Sequence, residues 1–521
     1  MVPLAISLDP KSTTPLHRQL YEEIRAAVLG GRLSAGARLP STRALAADLD
    51  ISRNTVTGAF DQLLAEGYIE ARPGAGTFVA KELPEDLLRV SPSPPTARDS
   101  APASDLSQRG QMLASTPVAP AARDAPVRGS APASELSRRG QMLASTPVAP
   151  AARDGASACA FRPGIPALDE FPRDLWARIA ARLYRQSKFD LLCYGDPAGY
   201  PPLRRAIAEY LRAARGVNCH WQQVIVTSGS QQALDLAARV LLDPGDTAWV
   251  EDPGYFGARG AWTAAGIHCV AVPVDTEGLS VVQGELSAPR ARMAYVSPSH
   301  QYPLGVTMSL ARRMALLAWA RRRSAWIAED DYDSEFRYAG RPLAALQGLD
   351  TTGRVIYMGT FSKVLFPALR LGYMVVPGGI VDAFAAARAL ADRHPPGPSQ
   401  ALVAEFLTEG HFARHIRRMR TLYAERQAAL LSAARREWTG LLDISPADAG
   451  MHLVAWLPEG SNDGEVSRLA GEAGVIAPPL SAYCHSAVPR PALLLGYSSV
   501  SPRKIQEGAR RLIAAMINLH T

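Results

Sequence analysis

Residues 82–157 cannot join a folded core, and they therefore divide the chain. The stretch is rich in Pro, Ala and Ser and poor in aromatic and β-branched side chains. It has too little apolar surface to offset the entropy of ordering it. It also contains a tandem duplication: residues 98–124 recur at 128–154 with three differences, Asp99/Gly129, Asp105/Glu135 and Gln108/Arg138. Two copies of such a unit do not make a solenoid. They read as a duplication in a tolerant linker, where added length costs little. A linker this long lets two folded bodies reach distant partners.

Residues 12–80, ahead of the linker, carry the pattern of a small domain. Leu16, Leu20, Ile24 and Val28 recur at helical spacing, which predicts a helix from Pro15 to Leu29. Gly30-Gly31 ends it. Ser41 caps a second helix bearing Leu45, Ala46 and Leu49. Ser52 caps a third, bearing Val56, Phe60, Leu63 and Leu64, with Gly67 as its stop. Tyr68–Ala71 and Thr77–Ala80 alternate like paired strands joined through Pro73-Gly74-Ala75-Gly76. Helix, helix, turn, helix, hairpin is the order of a winged helix-turn-helix.

Charge alone does not assign that domain to nucleic acid. The chain of 521 residues has a net charge of +7, yet residues 1–81 hold nine Lys/Arg against eight Asp/Glu. Residues 82–157 balance, so most of the surplus lies beyond the linker. No apolar run reaches membrane-spanning length, and the N-terminus lacks a basic-then-apolar signal pattern. The five cysteines are scattered without metal-ligand spacing, so no metal is expected and the protein reads as cytoplasmic, with reduced thiols.

Beyond residue 158 the pattern becomes α/β. Apolar runs at Val224–Thr227, Ala248–Val250, Ala294–Val296, Ala325–Ala328, Val355–Met358 and Gly372–Val376 alternate with helical stretches. That alternation predicts a mostly parallel sheet with helices on both faces. From about residue 380 a smaller C-terminal subdomain is expected.

The ends of those runs carry chemistry. Thr227-Ser228-Gly229-Ser230-Gln231 follows a strand and opens a helix, whose free N–H groups suit a phosphate. Glu329-Asp330-Asp331-Tyr332-Asp333 ends another run. A carboxylate there can pair with a pyridinium nitrogen and make the ring an electron sink. Thr360-Phe361-Ser362-Lys363, with Arg370 seven positions on, places an amine among hydroxyls and a cation.

In this order the motifs resemble the fold-type I aminotransferase family across residues 158–521. The resemblance implies pyridoxal 5'-phosphate, with Lys363 as its Schiff-base lysine. It implies that Gly229, Ser230, Gln231, Thr360, Ser362 and Arg370 surround the phosphate. Tyr255 would stack on the ring, Asp330 would pair with its nitrogen, and Tyr332 would bond its hydroxyl. Tyr194 resembles the tyrosine that reaches the phosphate from a neighbouring subunit. Two positions depart from the pattern: Tyr302 stands where an asparagine is usual, and Leu494 where an arginine grips the substrate carboxylate. Arg490 is a candidate replacement for it.

Residues 12–80 resemble the GntR-type winged helix through Leu39-Pro40-Ser41-Thr42-Arg43, Ile51–Val56 and Leu63–Ile69. Arg43, Ser52, Arg53, Asn54 and Thr55 are the expected contacts to DNA, with Gly74 and Gly76 at the wing. The two modules together resemble the MocR family of transcription regulators and its GabR-type members. The resemblance implies a cytoplasmic homodimer that binds an operator and responds to pyridoxal phosphate, an amine or an amino acid. A PdxR-like control of vitamin B6 synthesis is one expectation. A working aminotransferase with a DNA-binding appendage is the alternative, and Tyr302 and Leu494 argue against efficient turnover.

Overall fold

The computed structural model describes residues 6, 8–9, 16–29, 31–66, 68–72, 76–80, 136–137, 140–141, 143, 160–186, 191–338, 344–438, 440–486 and 490–517. The chain divides into two compact units, residues 1–88 with 148–521, and residues 89–147. Nearly all of the second unit, with its duplication, lies outside the described residues, as does Gly74.

The N-terminal head comprises α1 (Leu16–Leu29), α2 (Thr42–Asp48) and α3 (Arg53–Glu66), then the strands β1 (Ile69–Arg72) and β2 (Gly76–Val79). The strands pair antiparallel, Ile69 opposite Val79 and Arg72 opposite Gly76. The periodic residues meet in one core: Leu20, Ile24 and Val28, then Leu45, then Val56, Phe60 and Leu63, closed by Tyr68 and Val79. Each fully buried Leu or Phe of this kind contributes about 1.5–3 kcal/mol. Both expected caps form. Ser41 Oγ accepts from the Ala44 amide at 3.2 Å, and Ser52 Oγ accepts from the Thr55 amide at 3.1 Å. Helix α3 also packs against the helix His411–Glu437. His17 Nε2 lies 3.3 Å from the Thr408 carbonyl.

The body is built on an eight-stranded sheet of β3 (Val224–Thr227), β4 (Thr247–Asp252), β5 (His268–Asp275), β6 (Gly278–Leu279), β7 (Met293–Val296), β8 (Trp326–Asp331), β9 (Val355–Thr360) and β10 (Gly372–Val375). Its order is β3-β10-β9-β8-β7-β4-β5-β6. All six expected strands are present. The sheet is mixed, because β10 runs antiparallel to both β3 and β9. The link from Thr360 to Gly372 is too short for the crossover that a parallel neighbour needs, so the strand must return reversed. Strands β5 and β6 were not expected. Pro273 interrupts the β5 run, and it is tolerated beside Asp252 because β6 pairs only with Val274 and Asp275.

Alternation along β9 sends Tyr357 to one face and Met358 to the other, so a separate apolar core forms on each side. Because β10 opposes both its neighbours, β3 and β9 run the same way. The C-terminal ends of β3, β4, β7, β8 and β9 therefore share one sheet edge with the start of β10. That edge is where open α/β sheets place their ligand crevice. The smaller subdomain carries β11 (Asp443–Ile444), β12 (His452–Trp456) and β13 (Ala492–Gly496), all antiparallel. No helix among the described residues is long and apolar enough to cross a membrane.

Candidate functional site

The crevice at that edge is organised around one buried amine. Lys363 lies in the short helix Phe361–Val364, capped by Thr360, whose Oγ1 accepts from the Ser362 amide at 3.1 Å. Its Nζ donates to the Gly164 carbonyl at 2.9 Å. A Cβ at Gly164 would stand 2.7 Å from that nitrogen, on a backbone with φ +73°, so glycine lets the amine sit here without strain. Burial pushes the Lys363 pKa down, against the opposing pull of Asp333 and Asp330. The amine is thereby biased toward its neutral, nucleophilic form.

Three consecutive acids at the end of β8 separate by the period of the strand. Asp331 points toward Arg215, at 2.7 Å, and the Tyr357 hydroxyl, at 2.7 Å; it is structural. Glu329 accepts from the amides of Leu346 and Gln347 and ties down the following loop. Asp330 alone faces the crevice. Its oxygens accept from Tyr295 at 2.9 Å and Ser230 at 3.3 Å, and burial pushes its pKa up to about 6. A carboxylate held by two neutral hydroxyls in a dry site is the complement of an incoming cation.

The N-terminus of the helix Ser230–Leu241 lies at this edge, and its free N–H groups suit an anion. Gly229 is its N-cap at φ +123°, and Arg370 reaches over it: a Cβ at Gly229 would stand 3.8 Å from both guanidinium nitrogens. Gly372 must be glycine as well, since a Cβ there would lie 2.8 Å from the Gly229 Cα. This close approach brings the start of β10, paired with Thr360, and the Arg370 guanidinium to the helix terminus. Gln231 bonds the Gly257 carbonyl at 2.9 Å and accepts from the Tyr255 hydroxyl at 3.3 Å, fixing that ring at the crevice wall.

Tyr332 lies 3.0 Å from His300 Nδ1. Tyr302 stands edge-on to both Tyr255 and Tyr332, and its hydroxyl donates to Tyr483 at 3.1 Å. Leu494 is fully buried beside Tyr302, Leu304 and Trp456. Arg490 does not replace the missing arginine. It is engaged by the Leu457 carbonyl, Asp443 and the Trp456 ring. Tyr194 is not brought to this crevice; it is 80% exposed and lies against Arg393 and His394.

Four members of the site had no assigned role in the sequence reading: Gly164, Tyr295, His300 and Asp333. Gly164 and Tyr295 reach Lys363 and Asp330 from distant segments, and no local pattern announces them. Asp333 belongs to the acidic run already noticed, but nothing in the run distinguishes it.

Beneath the crevice, Glu251 accepts from the Ser297 amide and hydroxyl and from Gln301, and burial pushes its pKa up to about 7. Its folded value lies above its unfolded one. Its stabilising share is therefore complete below roughly pH 4 and lost as pH rises through 7. Glu251→Gln should match the wild type near pH 4 and gain thermal stability relative to it by pH 8. A stability difference that does not vary with pH, measured by calorimetry, would count against this.

In the head, Arg43 and Arg53 are exposed, and Arg53 Nε lies 3.5 Å from Thr42 Oγ1. Ser52 and Thr55 are tied to each other at 2.9 Å, so both serve the start of α3. Asn54 lies in α3, and its side chain is outside the described part. Gly76, at φ +110°, leaves room for the Arg38 guanidinium, which would lie 3.3 Å from a Cβ there. Arg38 was not foreseen, and it adds an exposed cation at the base of the wing.

Two family models match the chain: aminotransferase class I and II over residues 169–512, and the gntR family of bacterial regulatory proteins over residues 16–79. The probable rhizopine catabolism regulatory protein MocR of Rhizobium meliloti is 43% identical over 517 residues, covering 99% of this chain and 96% of its own. The HTH-type pyridoxine biosynthesis transcriptional regulator PdxR of Corynebacterium glutamicum is 30% identical over 456 residues, covering 87% and 85%. Among solved structures, the kynurenine aminotransferase of Pyrococcus horikoshii, in complex with PMP, matches at 31% identity and a TM-score of 0.65, covering 70% of this chain and 92% of its own.

Proposed function

Since the chain belongs to the MocR-type transcription regulators, which join a gntR-family head to an aminotransferase class I and II body, we propose that it reads an operator through α3 and its wing and senses an amine through pyridoxal phosphate held at Lys363. The observation that carries this reading is the presence of a buried amine, Lys363, and a buried carboxylate, Asp330, at one sheet edge beside a helix N-terminus.

The residues fit the cofactor at each of its ends. Lys363 offers the nucleophile, Asp330 awaits a ring cation, Tyr255 walls the ring, and Arg370 with Thr360, Ser362 and Gly229 suits a phosphate. When bound, pyridoxal phosphate supplies an aldehyde that captures amines. Asp330 holds a proton on the ring nitrogen side, and Lys363 takes up or yields the position that an effector amine competes for.

The effector class follows from Leu494. A dry, apolar wall where an arginine would grip a carboxylate favours an amine lacking an α-carboxylate. The 43% relative is named for catabolism of a rhizopine, and the 30% relative for pyridoxine biosynthesis. A role in vitamin B6 supply has the second, weaker likeness as its support. The effector must bind one arrangement of the regulator better than another, because indifferent binding shifts nothing.

A homodimer is part of this reading. Tyr194 is exposed away from its own crevice, and Tyr184 and Leu192 are exposed large apolar side chains nearby in sequence. A second copy would cover them and receive Tyr194. The protein is taken as cytoplasmic.

Footprinting on the DNA upstream of the protein's own gene, with and without pyridoxal phosphate and candidate amines, tests the reading. Protection that changes with the cofactor supports it; protection indifferent to every ligand removes the sensing role. Arg53→Ala should weaken operator binding by about 5- to 100-fold, the range of one lost base contact. An unchanged footprint in that variant would take Arg53 out of the interface.

A further inference from the structure

Tyr332 does not stand alone behind the crevice. His300 Nδ1 lies 3.1 Å from each carboxylate oxygen of Asp333 and 3.0 Å from the Tyr332 hydroxyl. The side chains of His300 and Asp333 are 4% and 1% exposed. His300 Nε2 is buried and has no hydrogen-bond partner among the described residues. That edge of the ring faces glycine backbone instead: a Cβ at Gly450 would fall 2.6 Å from Nε2, and one at Gly305 3.1 Å.

These contacts constrain the protons. A carboxylate only accepts, so the atom facing it must carry the hydrogen, and that atom is Nδ1. Nδ1 is thus fixed as a donor, whatever the state of Nε2. Nδ1 cannot accept from Tyr332, and the Tyr332 oxygen can accept a share of the Nδ1–H. The phenol proton of Tyr332 is left free to point into the crevice.

We propose that Asp333 and His300 form a positioning pair that makes Tyr332 a one-way hydrogen-bond donor to the ring oxygen of the bound cofactor. The proposal rests on the cofactor reading above. Its consequence is electrostatic. Donation to that oxygen stabilises its anionic form and lowers the proton affinity of the Lys363 nitrogen beside it. The other groups facing this point are Asp333 and Asp330 against Lys363, and Tyr302, Asp330 and Glu251 against Tyr332. His452 flanks His300 at a ring separation of 5.5 Å and is itself bonded to the Pro303 carbonyl. None of these supplies a donor that could replace Nδ1–H between Asp333 and Tyr332.

The test is a pH titration of the visible band of protein loaded with pyridoxal phosphate. Tyr332→Phe sets the ceiling, and it should raise the proton affinity at the Lys363 nitrogen by about tenfold. His300→Leu should raise it in the same direction, and the double variant no further. His300→Asn, whose amide nitrogen can stand where Nδ1 does, should restore most of the wild-type value. A shift in Tyr332→Phe with none in His300→Leu overturns the proposal. Should His300→Leu fail to fold, nitrogen-15 NMR of the cofactor-free wild type decides by itself. A proton on Nδ1 supports the pair, and a ring protonated on Nε2 alone refutes it. A wild-type protein that shows no visible band refutes the cofactor reading instead, and the NMR result on the tautomer still stands.

Discussion

Lys363→Ala is expected to abolish the visible absorbance that the wild-type protein develops with pyridoxal phosphate. The variant should bind operator DNA as before and lose its response to the cofactor and to amines. The residues proposed to hold the phosphate, from Gly229 to Arg370, remain in the variant, so loose binding of the cofactor is expected to persist while its capture is not. The expected stability change separates function from structure. Lys363 is a buried amine whose charged form is disfavoured and whose hydrogen bond is to the Gly164 carbonyl. Removing such a group leaves an acceptor unpaired, a cost of about 1–3 kcal/mol, offset in part because a poorly solvated buried amine is removed with it. The melting temperature of the cofactor-free variant should therefore stay close to that of the wild type. Gly164→Ala should act on the same atom from the other side, displacing the amine and weakening the band. Identical spectra for wild type and Lys363→Ala would end the sensing mechanism proposed for this body.

How much of this arrangement is legible in the chain depends on the reach of each interaction. The caps Ser41 and Ser52, the helix start at Gly229 and the six strands are local patterns, and the structure contains them where their residues place them. The acidic run at the end of β8 is visible too. Its division into a structural Asp331 and a crevice-facing Asp330 depends on which face of the sheet holds Arg215 and which holds Tyr295. Those partners lie over a hundred and over thirty positions away, so the local pattern does not show the division, and the family resemblance is what singles out Asp330. The reversal of β10 is a matter of link length, which could have been weighed against the parallel expectation. Gly164 is the hardest case. Beyond its own left-handed backbone, its requirement comes from a lysine 199 positions distant. The Asp333–His300 pair is of the same kind, two fragments of separate motifs that meet only after the strands are aligned.

The second large effect concerns the buried apolar cluster that holds Leu494. Leu494 lies on β13, opposite Val454 of β12, with its side chain fully buried among Tyr302, Leu304, Tyr483 and Trp456. Wild-type protein loaded with pyridoxal phosphate should favour an amine over the α-amino acid from which decarboxylation would produce it. A carboxylate forced against this wall forgoes charge-assisted bonds of about 1.5–3 kcal/mol each, which corresponds to roughly 10- to 100-fold in affinity. Leu494→Arg should narrow or reverse that preference, because the guanidinium then has an anionic ligand to pair with. In the absence of ligand the same substitution buries an unpaired cation and should cost about 3–5 kcal/mol of stability, with α-amino acids recovering part of it. Spectral titration with matched amine and amino-acid pairs, alongside denaturant unfolding of both proteins, reads both effects. If the wild type binds amine and amino acid alike, another cation must hold the carboxylate and the effector class inferred from Leu494 is wrong. If common amino acids also convert the bound cofactor to its amine form rapidly in single-turnover mixing, the body is a working aminotransferase. The apolar wall would then act on substrate choice, with the response to signal arising elsewhere.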